Sequence, residues 1–83
     1  MDKEEIEQRV ITAMAEVLAI DSTKVRLNSN IRDDFDASSL DLVQLVWTLE
    51  EEIGKEIPDD DIESFVTAGD IVDYVARLYG DSH

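Results

Sequence analysis

The sequence predicts an all-α fold of three main helices and one short one, with a long loop between the first and second main helices. Apolar residues recur at spacings of three and four in separate stretches, and each main stretch opens on residues that suit a helix N-cap. No segment alternates apolar and polar residues between hairpin turns, and no internal repeat is visible. The 83 residues suffice for one domain, read as spanning 1–83, with a single modest core.

The first helix is expected from about Lys3 to Ala19, because Ile6, Val10, Ala13, Met14, Val17 and Leu18 share one face while the other is charged. Asp2 is the expected cap, with Glu5 as its reciprocal partner, and Glu4 and Glu5 suit the positive end of the helix dipole. Residues 20–37 keep no sustained period. They contain Asp21-Ser22-Thr23, Asn28-Ser29-Asn30 and Asp33-Asp34, whose side chains compete with helical hydrogen bonding. A loop of this length needs pins or a function, and Val25, Leu27, Ile31 and Phe35 are the expected pins into the core.

The second main helix is expected to begin at Ser38-Ser39-Leu40-Asp41, where Ser38 can accept from early backbone N–H groups and Asp41 completes a capping box. It runs to about Ile53. Gly54 follows where a left-handed cap residue belongs, and Pro58 blocks simple continuation. Asp59-Asp60-Asp61 opens a short helical segment through about Phe65, which needs Ile62, with Phe65 and Val66, packed inward to be stable. Thr67-Ala68-Gly69-Asp70 repeats the cap pattern, and Ile71, Val72, Val75 and Leu78, with Tyr74 or Tyr79, give the last helix its apolar side. Gly80-Asp81-Ser82-His83 reads as a frayed end.

A hydrophobic fraction of 43% with 34% charged residues is that of an ordinary globule. No apolar run approaches the length of a membrane span, and the N-terminus has no signal-peptide pattern, so the chain is read as cytoplasmic. Acidic residues outnumber basic ones by 21 to 7, and the net charge of −14 repels nucleic acid and anionic lipid. Basic protein surfaces are the partners that remain, although such charge also serves plain solubility. With no cysteine, the chain has no thiol, thiolate metal site or disulfide of its own.

The second main helix carries more apolar residues than one core contact needs. Leu42, Leu45, Val46, Leu49 and Ile53 form one stripe; Leu40, Val43 and Trp47 form another, flanked by Asp41, Glu50, Glu51 and Glu52. Either the helix is central and buries both stripes, or the second is a docking surface whose carboxylates steer a basic partner. Ser39 occupies the first turn, where unpaired N–H groups and the dipole favour an anionic substituent such as a phosphodiester. A serine there also serves simply to start a helix.

Catalytic chemistry finds little support, and no catalytic residue is assigned. The only histidine is His83, so Ser39 has no evident activating base. The run Asp59-Asp60-Asp61-Ile62-Glu63 lacks the ligand spacing of a calcium loop, no Cys/His metal spacing occurs, and no metal is expected.

Asp36-Ala37-Ser38-Ser39-Leu40-Asp41 through Val46, then Leu49-Glu50-Glu51-Glu52-Ile53 and Glu56-Ile57-Pro58-Asp59, resemble the acyl carrier protein family over nearly the whole chain. The resemblance implies an up-and-down four-helix bundle in which Ser39 receives 4′-phosphopantetheine from a phosphopantetheinyl transferase that uses coenzyme A. It further implies a monomer that catalyses nothing, holds acyl groups as thioesters on the imported thiol and presents them to fatty-acid or polyketide-type enzymes with basic docking surfaces. By position, Leu40, Val43 and Trp47 become apolar partner contacts, while Asp41, Glu50 and Glu51 steer the partner.

Three departures mark the chain. Ser38 stands where the family usually has aspartate, which leaves Ser38 as a lesser alternative for modification. Gln44, on the same partner face, replaces a frequent glutamate, and Leu42 is bulkier than the residue often found at the pocket mouth. These suggest a specialised carrier, so an aminoacyl cargo such as D-alanine stays open, as does an unmodified acidic interaction domain.

Overall fold

The structure, a computed structural model, describes residues 2–80. Its elements are α1 (Lys3–Leu18), a 3-10 turn (Ser22–Lys24), α2 (Ile31–Phe35), α3 (Ser39–Ile53), α4 (Asp59–Ile62) and α5 (Ala68–Gly80). The three long helices are the expected ones, and α4 is the expected short one. Of the segment read as a frayed end, Gly80 closes α5 and residues 81–83 lie outside the described residues.

Local capping chemistry sets the helix limits. The Asp2 carboxylate accepts from the Glu5 N–H at 2.9 Å to start α1, and Ala19 ends it in the left-handed region at φ 56°. Gly54, at φ 71°, ends α3 in the conformation a glycine reaches without steric cost. For α5, the Thr67 hydroxyl accepts from the Asp70 N–H at 3.2 Å, and Asp70 Oδ2 accepts from Val66 N and Thr67 N, each at 3.0 Å. Those backbone donors, Thr67 first and then Val66, hold the Asp70 carboxyl below its ordinary range.

The loop between the first two main helices differs from expectation. Asn28-Ser29-Asn30 and Asp33-Asp34 do not merely resist helix formation; they build α2. Asn30 Oδ1 accepts from Arg32 N and Asp33 N, and Asp34 Oδ2 accepts from Asn30 N at 2.7 Å. Upstream, Asp21 accepts from the backbone and hydroxyl of Thr23, which lowers its pKa and fixes the 3-10 turn.

Three backbone hydrogen bonds then clamp this loop to the start of α5: Ile31 N to Val66 O, Ala68 N to Ser29 O, and Gly69 N to Leu27 O at 2.7 Å. Asn30 and Thr67 form an antiparallel bridge in the middle of the clamp. Of the four expected pins, Val25 and Ile31 are buried and Phe35 is half-buried. Leu27 is corrected: its side chain is 41% exposed, and its carbonyl holds the loop instead.

The core collects Ile6, Val10, Ala13 and Met14 from α1, Leu42, Leu45, Val46 and Leu49 from α3, and Ile71, Val72 and Val75 from α5. Helix α1 packs against both α3 and α5. Each buried valine, leucine, isoleucine or methionine side chain contributes about 1.5–3 kcal/mol relative to exposure. Tyr74 and Leu78 are half-buried at the edge, while the Tyr79 side chain lies outside what is described.

Helix α4 is a single turn with Pro58 at its N-cap, and the backbone turns onward to Phe65 through bonds from Ser64 N to Asp61 O and Phe65 N to Ile62 O. Phe65 is buried and Ile62 half-buried, but Val66 is 52% exposed because the backbone there turns to meet Ile31. Among the described residues no helix is long and apolar enough to cross a membrane.

Candidate functional site

Helix α3 starts on a closed pair of bonds. The Ser38 hydroxyl accepts from Asp41 N at 3.2 Å, and Asp41 Oδ2 accepts from Ser38 N at 3.0 Å. Both side chains are thereby committed to the backbone. Ser39 is the first helical residue; both serines are exposed, but only Ser38 is bonded into the cap, so two residues that look equivalent in sequence occupy different chemical positions. The hydroxyl of Ser39 sits at the positive end of α3, beside first-turn N–H groups that have no partner within the helix. A phosphodiester on Oγ suits that end electrostatically, and solvent leaves room for a long substituent.

The two apolar stripes separate cleanly. Leu42, Leu45, Val46 and Leu49 are all below 5% exposed and Ile53 is half-buried, so the first stripe is core. Leu40 and Trp47, by contrast, are 65% and 62% exposed, with Val43 half-buried between them. Burial of both stripes is therefore excluded. Gln44 and Glu51 are exposed on the same side of the helix.

Glu50 has a second task. It is half-buried, and its Oε2 accepts from Ile57 N at 2.7 Å, fixing the segment that leads into α4. This bond shapes a groove of about 420 Å³ beside Trp47, lined on the α3 side by Val43, Val46 and Glu50 and on the other by Glu56, Ile57, Pro58, Asp59 and Ile62. The structure thus brings Val43, Trp47 and Glu50 to one hollow, whereas Ser39, Leu40 and Asp41 sit at the helix start.

Glu56, Pro58 and Asp59 were not among the expected site residues. Their signal lay in the Glu56-Ile57-Pro58-Asp59 block, which reads locally as a turn. What places it at the groove is the bond from Ile57 N back across the turn to the Glu50 carboxylate, seven residues earlier. Also missed was Asp61, whose Oδ2 accepts from the Tyr74 hydroxyl at 2.6 Å and ties α4 to α5.

Residues 8–75 match the family described as "Phosphopantetheine attachment site". The acyl carrier protein of Rubrobacter xylanophilus is 44% identical over 77 residues, which cover 93% of this chain and 95% of that protein. The acyl carrier protein of Lactobacillus acidophilus is 40% identical over 80 residues, covering 96% of this chain and 100% of the relative. That of Prochlorococcus marinus is 43% identical over 80 residues with the same coverage. Helical architecture, an exposed serine at a helix start and similarity across the chain converge: the protein belongs to the acyl carrier protein family, whose prosthetic group is a covalently attached 4′-phosphopantetheine.

Proposed function

We propose that Ser39 is the attachment point and that the chain carries acyl groups as thioesters between enzymes without catalysing a reaction itself. The observation that carries this reading is the division between Ser38, whose hydroxyl and N–H are spent on the cap, and the likewise exposed Ser39, whose side chain takes no part in it. In the loading step, a phosphopantetheinyl transferase moves the phosphopantetheine of coenzyme A to Ser39: the Oγ–P bond forms as the pyrophosphate P–O bond breaks, adenosine 3′,5′-bisphosphate departs with that bond's electron pair, and the hydroxyl proton leaves to the transferase. The bound arm then supplies the thiol that the cysteine-free chain lacks.

Leu40, Val43 and Trp47 supply the apolar part of the docking face, with Asp41, Gln44, Glu50 and Glu51 around them. The net charge of −14 favours enzymes with basic surfaces. Fatty-acid or polyketide-type enzymes are the proposed clients, and the cytoplasm, where coenzyme A and its transferases meet, is the proposed compartment. The chain acts as a monomer and a single domain.

Intact-protein mass after incubation with coenzyme A and a broad-specificity transferase tests the assignment. The arm's mass should appear on the natural chain and on Ser38→Ala but not on Ser39→Ala. Equal loading of Ser39→Ala would refute the attachment site. The mass of the native thioester separates acyl from aminoacyl cargo.

A further inference from the structure

We infer that Trp47 and the acidic hollow beside it form a seat for an arginine side chain of a partner protein, with the guanidinium stacked on the indole face. This deepens the docking role proposed for α3 and rests on it. The Trp47 ring is 62% exposed and borders two hollows. One is lined by Val43, Pro58 and Ile62 as apolar floor and by Glu50, Glu56 and Asp59 as carboxylates, with no basic residue among those lining it. The other is also lined by three carboxylates, Glu50, Glu51 and Glu56, but it contains Lys55, whose Nζ donates to Leu78 O at 3.0 Å and already offsets one of those charges. Charge therefore selects the first hollow.

Arginine fits this setting better than lysine. Its guanidinium is planar, weakly hydrated and able to stack on an aromatic face while its N–H groups reach carboxylates at the edge. An ammonium is a compact, strongly hydrated charge that gains less from leaving water. Apolar floor, aromatic wall and acidic rim accommodate, respectively, the methylene stem, the flat face and the N–H edges of one arginine. A client enzyme should accordingly present an arginine, flanked by apolar residues, to this part of α3.

The test compares two short acetylated, amidated peptides of leucine and alanine that differ only in carrying arginine or lysine, titrated against the full chain at constant ionic strength. Because the chain has one tryptophan, indole fluorescence reports contact at Trp47 directly. The arginine peptide should change the emission saturably and bind about two- to fivefold more tightly than its lysine twin. In Trp47→Leu, followed by calorimetry with its fold checked by thermal melting, that preference should vanish while charge-driven binding of both peptides persists.

Equal affinity for the two peptides, no saturable change with either, or a preference that survives Trp47→Leu overturns the seat. Phosphopantetheine loading of the natural chain, read separately by mass, tests the carrier reading. A loaded chain without arginine preference loses only the seat.

Discussion

The Tyr74 hydroxyl of α5 donates to Asp61 Oδ2 of α4 at 2.6 Å, while the Tyr74 ring meets Phe65 edge to face at 5.3 Å. One side chain thus fastens both ends of the segment after Pro58. The hydrogen bond to the Asp61 carboxylate, aided by desolvation, pushes the Tyr74 hydroxyl up to about 12 from its ordinary 10.0. A raised folded value means that the bond stabilises the protein below the ordinary tyrosine range and that this contribution is lost as pH rises from 10 toward 12. Ultraviolet titration should show one tyrosine ionising late, and Asp61→Asn should return it toward 10. An unchanged late titration in Asp61→Asn would contradict the bond.

Asp70 gives the opposite sign. Donation from Thr67 N and Val66 N lowers its carboxyl below the ordinary 3.8, so its contribution is complete above that value and lost as pH falls toward the lower folded value. Asp70→Asn should cost about 1 kcal/mol near neutrality and flatten the acid limb of the stability profile. Urea midpoints measured across that range check both effects.

Gly69 reverses an ordinary expectation. Alanine normally stabilises a helix relative to glycine, yet a Cβ at position 69 would meet the Leu27 carbonyl oxygen at 2.9 Å, and that oxygen belongs to backbone. Gly69→Ala should therefore destabilise by about 1–2 kcal/mol, through loss or distortion of the bond from Gly69 N to Leu27 O. A higher urea midpoint in the variant would show that the 27–31 segment yields freely.

The two stripes of α3 should separate in mutagenesis. Leu45, 1% exposed, should cost about 2–5 kcal/mol when changed to alanine. Trp47→Ala should stay within about 0.5 kcal/mol in stability and still weaken client binding, read by calorimetry with a client enzyme. A large loss of thermal stability in Trp47→Ala would place the indole in the core after all.

Short-range chemistry made most of the architecture legible. The Ser38 box, the Thr67 box and Gly54 each act within about one helical turn, and the apolar faces of α1, α3 and α5 are periodic over several. The features that escaped depend on partners beyond one helical turn, from seven residues away to about forty. Leu27 looked like a pin because it is apolar; what fixes it is the approach of Gly69, and its side chain is left in water. Val66 was misplaced for the same reason, since its carbonyl is spent on Ile31. Glu50 read as surface charge, whereas its bond to Ile57 gives the Trp47 groove its far wall. Helix α2 and the 3-10 turn are the local exceptions: Asn30 and Asp21, residues that compete with helical hydrogen bonding, here cap short helical turns instead.

The reciprocal bonds of Ser38 and Asp41 have a thermodynamic consequence for the neighbouring serine. A group joined to Ser39 replaces no bond of the cap and displaces nothing from the core, so attachment changes the folding equilibrium only through its charge at the helix end, about 1 kcal/mol or less. By linkage, the scaffold then exerts little pull for or against the attached state. On the proposed attachment at Ser39, bare and substituted chains should therefore be near-equal in folding free energy, and the direction of loading should be set by the chemistry of the donor and not by the protein that receives it.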